Sequence, residues 1–293
     1  GQLGNSSTID SLVPVQAQTV GAMIEVVAGK THVCALRVDG TVWCWGGNSN
    51  GQLGQGNTVD STVPVQVQGL GGVGVLEDVT TISAGRSHTC AVAASGLGFC
   101  WGRNLADQLG DGQGTSQEDT PVQVTALTNL VGIGAGGTHT CAVRADGALF
   151  CWGGNARGQL GEGTTDGSEV PAQVLDTTGT APFAGAVAVE ASDKQTCATT
   201  SSEELFCWGL DLSGQLGNGA PAANSSLPVQ VVDPSGAPTP LADVVLPAKS
   251  SGDSAHSCAA LGSGQVLCWG LNSDGQLADG TKADSSIPVP FSQ

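Results

Sequence analysis

The sequence predicts an all-β chain built from four-stranded blades, and three observations predict it. The ten cysteines fall into five pairs with nine residues between partners: Cys34 and Cys44, Cys90 and Cys100, Cys141 and Cys151, Cys197 and Cys207, Cys258 and Cys268. Trp-Gly follows each second cysteine. Successive first cysteines lie 56, 51, 56 and 61 residues apart, about the chain that a four-stranded blade uses. No window carries apolar residues at helical spacing with a cap and a stop. Short β-type runs are punctuated by Gly, Asp, Asn, Ser and Pro instead, and glycine supplies 45 of 293 residues, about double the usual ~7%.

Each part of the repeat has a reason. It opens with a small-residue segment, Val27-Ala28-Gly29-Lys30-Thr31-His32, echoed at Ser83-Ala84-Gly85-Arg86-Ser87-His88 and Gly134-Ala135-Gly136-Gly137-Thr138-His139. A cysteine hairpin follows. An odd number of residues between partners requires an odd loop if the cysteines are to face each other, and the common three-residue loop ends in a left-handed residue, usually glycine. Placing Val38-Asp39-Gly40 in that loop sets Arg37 opposite Thr41 and Cys34 opposite Cys44. Gly147, Gly96 and Gly264 fall at the same offset, whereas the fourth repeat has Glu203, so its turn should be strained or different. Opposed residues at a non-hydrogen-bonded site lie about 4.5 Å apart at Cα, within disulfide range. Five cross-strand disulfides are therefore expected. Zinc is the rival reading, but structural zinc sites use closely spaced ligands such as Cys-x-x-Cys, and none occurs. After Trp-Gly comes Gly51-Gln52-Leu53-Gly54, with copies at 107–110, 158–161, 214–217 and 275–278, and then an apolar-proline strand such as Val63-Pro64-Val65.

Laid out this way, the chain resembles the regulator-of-chromosome-condensation repeat proteins. The residues that carry the resemblance are Gly29-Lys30-Thr31-His32-Val33-Cys34-Ala35-Leu36, Asp39-Gly40, Trp43-Cys44-Trp45-Gly46, Asn48 and Gly51-Gln52-Leu53-Gly54, and four further copies extend it over nearly the whole chain. The resemblance implies a β-propeller, commonly of seven blades. Two departures qualify it. There are five cysteine hairpins but six Gln-Leu segments, because Gly1-Gln2-Leu3-Gly4 and Val13-Pro14-Val15 precede the first hairpin. Residues 1–23 thus read as a partial repeat (a loop and a proline-containing strand), and 24–293 as five repeats in a single domain. A domain that starts inside its own repeat points to a piece of a longer protein, a fragment of a seven-bladed ring; closure with five blades is the other reading. The second cysteine of each pair is also not general in intracellular members, which suggests a secreted, bacterial-type branch.

Composition narrows the function classes. Net charge is −17 with a pI near 4.2, and no Lys/Arg cluster exists, so nucleic acid is not an expected partner. No apolar run approaches the ~20 residues of a membrane span, so no membrane insertion is expected. Paired cysteines in every repeat argue for an oxidising compartment: extracellular, periplasmic or cell surface. Asn5-Ser6-Ser7 and Asn224-Ser225-Ser226 match the N-glycosylation triplet.

Candidate chemistry is sparse. His32, His88, His139 and His256 each stand two residues before a first cysteine, with Gln195 in the fourth repeat. The same place in separate blades disperses them too far for one metal, and a structural hydrogen-bonding role explains them. Gly47-Asn48-Ser49-Asn50-Gly51 matches Gly-x-Ser-x-Gly by letter, yet it is the ordinary repeat loop, without the strand–turn–helix context of a nucleophile. Acidic loops at Asp111, Glu118-Asp119 and Asp166 lack EF-hand spacing, so solvated loops are expected rather than calcium sites. Trp45, Trp101, Trp152, Trp208 and Trp269 recur at one repeat position, which reads as core packing, and Trp43 shares a strand face with Trp45. Ultraviolet-sensing members carry a tryptophan where this chain has Lys30, Arg86, Gly137 and Lys194, so a photoreceptor reading fails.

The expectation is a non-catalytic scaffold, without cofactor, that binds another protein through variable loops, in the manner of an enzyme inhibitor or an adhesin. The most irregular stretches, 110–119, 175–184, 217–226 and 233–247, are the expected binding face. Guanine-nucleotide exchange on a small GTPase, known for intracellular members, is the alternative.

Overall fold

A computed structural model describes residues 1–18, 20–236, 238–248 and 255–292, the side chains of 246–248 excepted. Among the described residues, twenty strands form five antiparallel four-stranded sheets, each a meander in chain order. Blade 1 holds β1 (Met23–Ala28), β2 (His32–Arg37), β3 (Val42–Gly46) and β4 (Ser61–Gln66). Blade 2 holds β5 (Val79–Ala84), β6 (His88–Ala93), β7 (Gly98–Arg103) and β8 (Gln117–Gln123). Blade 3 holds β9 (Leu130–Ala135), β10 (His139–Arg144), β11 (Leu149–Gly153) and β12 (Ser168–Gln173). Blade 4 holds β13 (Ala186–Ala191), β14 (Gln195–Thr200), β15 (Leu205–Gly209) and β16 (Ser225–Gln230). Blade 5 holds β17 (Val244–Ala248), β18 (His256–Leu261), β19 (Val266–Gly270) and β20 (Ser285–Pro290). Among the described residues the one helical element is a 3-10 turn at Leu70–Gly72.

The cysteine hairpins have the register that the odd loop requires. Cys34 pairs with Cys44, Cys90 with Cys100, Cys141 with Cys151, Cys197 with Cys207, and Cys258 with Cys268. The Arg37 N–H donates to Thr41 O and the Gly40 N–H to Arg37 O, both at 2.9 Å. All five pairs are disulfide-bonded. Cα atoms lie 4.0 Å apart for Cys34 and Cys44, for Cys141 and Cys151 and for Cys258 and Cys268, and 4.1 Å apart for Cys90 and Cys100 and for Cys197 and Cys207. Gly40, Gly96, Gly147 and Gly264 take φ between +76° and +85° at the end of the turn, and Glu203 is forced to +63°. A side chain there costs roughly 1–2 kcal/mol. Glu203→Gly is therefore expected to stabilise the protein by about 1 kcal/mol in urea unfolding; a neutral or destabilising result would show that the Glu203 side chain offsets its own strain.

The core lies between blades rather than within them. Leu36, Val42, Leu53 and Val67 of blade 1 pack against Leu76, Val79, Ile82, Ala91 and Trp101 on the blade 2 side, and equivalent clusters join blades 2–3, 3–4 and 4–5. This is the arrangement of a stacked repeat array, in which stability comes from each unit plus its seam with the next. The segment Val13-Pro14-Val15 lies outside the regular strands. Its counterparts pair with the third strand of their own blade, and among the described residues no such strand stands beside it.

Candidate recognition face

The repeated polar residues are used up in building seams. His32 Nε2 lies 2.8 Å from Thr89 Oγ1 of the next blade, and that hydroxyl donates to the Gln52 carbonyl at 2.9 Å. With its proton committed to Gln52, Thr89 accepts from the imidazole, so His32 carries its hydrogen on Nε2. Trp101 Nε1 donates to the same carbonyl at 2.9 Å. His88, Thr140, Gln108 and Trp152 repeat the pattern, as do His139, Thr196, Gln159 and Trp208. Gln195 replaces the imidazole at the next seam and donates to Ser257 Oγ (3.1 Å) and Gln215 O (2.7 Å), where Trp269 Nε1 also donates. The three histidines are fully buried, each in its own seam. His256 is half-buried, and burial holds its pKa below the usual histidine value. Among the described residues no group of three or more His, Cys, Asp or Glu could hold a metal ion.

The loops after Trp-Gly are organised as tightly. Asn48 Oδ1 accepts from the Leu53 N–H at 2.9 Å, and its amide donates to Asn57 O and Val59 O. Asn104, Asn155 and Asn272 do the same work against Leu109, Leu160 and Leu277. The segment that matched Gly-x-Ser-x-Gly is thus a loop folded around buried Asn48. In blade 4 the residue is Asp211, which has no amide to donate. It accepts instead from Leu216 N and Ala223 N, both at 3.3 Å, and burial raises its pKa above the usual carboxylate range. Asp111 of blade 2 and Asp166 of blade 3 stand in these loops, whereas Glu118 and Asp119 lie in β8.

One carboxylate sits inside a seam. Glu25 on β1 accepts from Thr81 Oγ1 and the Ile82 N–H of β5, both at 3.2 Å, and burial raises its pKa despite those bonds. A raised folded-state pKa adds stability at acidic pH that is lost as pH rises through it. At neutral pH the ionised group weakens the seam. Glu25→Gln is therefore expected to raise the melting temperature at pH 7 and to leave it unchanged near the ordinary Glu value of about 4.3; a difference independent of pH would contradict this.

An up-and-down blade places alternate connections at opposite ends, and this splits the four irregular stretches. Residues 110–119 and 217–226 join third strands to fourth strands and lie on one rim. Residues 175–184 and 233–247 run from one blade to the next and lie on the other, with Ala237 and the side chains of 246 and 247 outside the described residues. A single face formed by all four, as the sequence suggested, is not what the fold makes.

The rim of blade-to-blade connections is the more irregular. Three connections fold back as small hairpins, marked by the bridges Gln68↔Val75, Leu175↔Pro182 and Val232↔Pro240. They are unlike one another. Residues 69–74 are Gly-Leu-Gly-Gly-Val-Gly, with Leu70 and Val73 exposed, whereas 176–181 are Asp-Thr-Thr-Gly-Thr-Ala. The connection between blades 2 and 3 is short and leaves a recess of about 470 Å³. It is lined by Ser95, Gly96, Asn129, Val131, Arg144 and Asp146, among others. Arg144 and Asp146 form an ion pair at 2.5 Å, and the guanidinium lies 5.8 Å from the Phe150 ring centroid. Sequence reasoning missed residues 69–75 and the recess. Four glycines within 69–74 were the available signal for the first.

Five stacked four-stranded blades define a β-propeller architecture, and comparison with known proteins supplies the family. The chain matches the RCC1-like domain over residues 1–293 and belongs to that family. It is 32% identical over 223 residues to the ultraviolet-B receptor UVR8 of Arabidopsis thaliana, covering 75% of this chain. The chain spans 49% of that receptor's length. Among solved structures, human WBSCR16 aligns with a TM-score of 0.76 at 21% identity, covering 92% of this chain and 67% of that one. Prp20p of Saccharomyces cerevisiae aligns at 0.63 and 16% identity, covering 92% and 77%. Likeness at these identities is one of fold. Among the described residues no helix is long and apolar enough to cross a membrane.

Proposed function

We propose that this chain is a non-catalytic protein-binding propeller that works outside the reducing cytosol and grips its partner with the rim of blade-to-blade connections. The observation that carries the reading is the contrast within the molecule. Residues that repeat are committed to disulfides, seams and loop cores. Three unlike hairpins on one rim are not, a recess opens beside them, and residues free of a structural duty are those available for recognition. The area between 69–75, the recess and 176–181 offers apolar and polar surface side by side, as protein interfaces do. Five disulfides support an oxidising location, because thiols in the cytosol are kept reduced. Prp20p is described as binding Gsp1p and histones. Its likeness supports protein recognition by the fold in general. The charge of −17 here weighs against chromatin.

The test is capture on the disulfide-intact protein from native extracellular and cytosolic fractions, with mass spectrometry of what is retained. The expected result is an extracellular protein whose retention is lost when Val73→Asp and Thr178→Asp are combined. Retention unaffected by that pair would move the site off this rim. Recovery of a small GTPase whose nucleotide exchange is accelerated would replace the reading with the exchange-factor one.

A further inference from the structure

The inner lip of the rim of blade-to-blade connections carries a repeated apolar residue that the fold does not bury. First strands of successive blades lie against one another, so they form the inner wall. Each of them bulges near its start. Met23 faces Arg37 and Glu25 faces Leu36, which leaves Ile24 as the extra residue, and Thr80, Val131, Val187 and Val245 hold the same place in β5, β9, β13 and β17. A bulge re-aims its extra side chain away from the ladder. Ile24, Val131, Val187 and Val245 are accordingly 63%, 55%, 53% and 58% exposed. Blades 3 and 4 have a neighbour on each side, so the exposure of Val131 and Val187 belongs to the bulge. The fold does not require an apolar residue there: blade 2 has Thr80, whose hydroxyl donates to Val92 O at 3.1 Å. Single exposed apolar residues are ordinary, but a row of them along one lip marks a contact surface.

The surroundings of the lip define what would cover it. The recess of about 470 Å³ opens beside Val131, and exposed Ala94 and Ala145 add apolar surface to its lining. Charge around the lip has one available sign. Among the described residues of this rim the cations are Arg37 and Arg144, and each is taken, Arg37 by Asp39 at 3.2 Å and Arg144 by Asp146 at 2.5 Å. Glu77, Asp78, Glu203 and Asp243 are exposed and stand in no ion pair among the described residues. Two of these carboxylates belong to the lip itself. The Val244 N–H donates to Glu203 O at 3.2 Å, which brings the Glu203 turn beside Asp243 and Val245. The Ser201 N–H donates to Gly185 O at 2.8 Å, which brings the same turn beside the start of β13 and Val187.

We infer that Val131, Val187 and Val245, with the recess, dock a partner segment in which lysine or arginine stands among branched apolar side chains. The inference rests on the protein-binding reading above and names the chemistry of that partner. One apolar side chain of the segment enters the recess against Val131, others cover Val187 and Val245, and the cations between them meet Glu203 and Asp243. Apolar contact supplies the affinity. The carboxylates choose the partner. An acidic surface or an anionic membrane meets like charge there, whereas a cationic segment is drawn in, less strongly as salt screens the field.

The experiment measures fluorescence anisotropy of a labelled peptide of lysine, valine and leucine against the disulfide-intact chain. Control peptides replace its lysines by glutamate, or its valines and leucines by serine. Val131→Thr combined with Val187→Thr is the apolar variant. Blade 2 already carries threonine at this place, so its melting temperature should match that of the parent. Glu203→Gln combined with Asp243→Asn is the charge variant. The expected result is binding of the first peptide and of neither control, weakened about tenfold by the threonine pair, because a hydroxyl is then buried in place of each methyl. The charge pair should weaken it roughly threefold at low salt and have no effect at about 1 M salt, where the screening length is about 3 Å. No binding of the first peptide would overturn the inference. Equal binding of the serine peptide would reduce the site to plain charge attraction and overturn it, as would undiminished affinity in the threonine pair. Binding to phosphatidylserine vesicles that the threonine pair abolishes would put a membrane in the place and also overturn it. If capture of a protein still depends on Val73 and Thr178 while the lip binds no peptide, the protein-binding reading stands and this inference alone falls.

Discussion

Trp152→Ala is expected to lower unfolding free energy by about 3–5 kcal/mol, the range for removing a large buried aromatic. Trp152 is fully buried, packs with Cys90, Cys100, Leu109 and Val124 of the preceding blade, and donates to Gln108 O at 3.0 Å. Gly110 is a glycine because the indole lies against its Cα. The truncation therefore opens a cavity in the middle of a seam and removes one of two donors from a buried carbonyl. In a stacked array the coupling between halves runs through such seams. Urea unfolding of the variant should then separate into two transitions, blades 1–2 ahead of or behind blades 3–5. Trp43→Ala, in a half-buried side chain of an end blade, should cost less and keep one transition. A loss below about 1 kcal/mol for Trp152→Ala, the level of an ordinary substitution, would mean that the seams do not carry the stability.

Opening the disulfides should have the other large effect. Each closes a small ring, worth roughly 2–3 kcal/mol in the chain-entropy account. Cys141→Ala with Cys151→Ala is expected to lose about that much. Cys197 and Cys258 are half-buried, while their partners Cys207 and Cys268 and the other six cysteines are buried, so the three disulfides of blades 1–3 should resist mild reductant until a blade opens. Denaturant with reductant, followed by removal of denaturant alone, should leave the chain unfolded. Five contributions need not add, yet domain stability is only about 5–15 kcal/mol, so even partial addition removes much of it. Recovery of the native circular dichroism with all thiols reduced would contradict this.

The fold was legible where a local rule had one solution. Nine residues between Cys34 and Cys44 demanded an odd loop, the loop demanded a left-handed residue at Gly40, and both appear. Glu203 was legible as the exception for the same reason. The histidines were legible as structural but not as what they are. Their partner is not the adjacent Thr in sequence but the Thr of the next blade, 57 residues on for His32 and Thr89, and only stacking brings the two together. The split of the variable stretches followed from strand alternation alone and could have been read. The recess could not: it exists because the connection at 125–129 is short while its neighbours fold back. Val13-Pro14-Val15 has the composition of a strand, but a strand is a relation between segments, and among the described residues none pairs with it.

The most direct test of the central claim, a propeller clasped by sulfur outside the reducing cytosol, is titration of free thiols on protein from its native source, denatured without reductant. The account predicts none among the ten cysteines. Ten titratable thiols would contradict it.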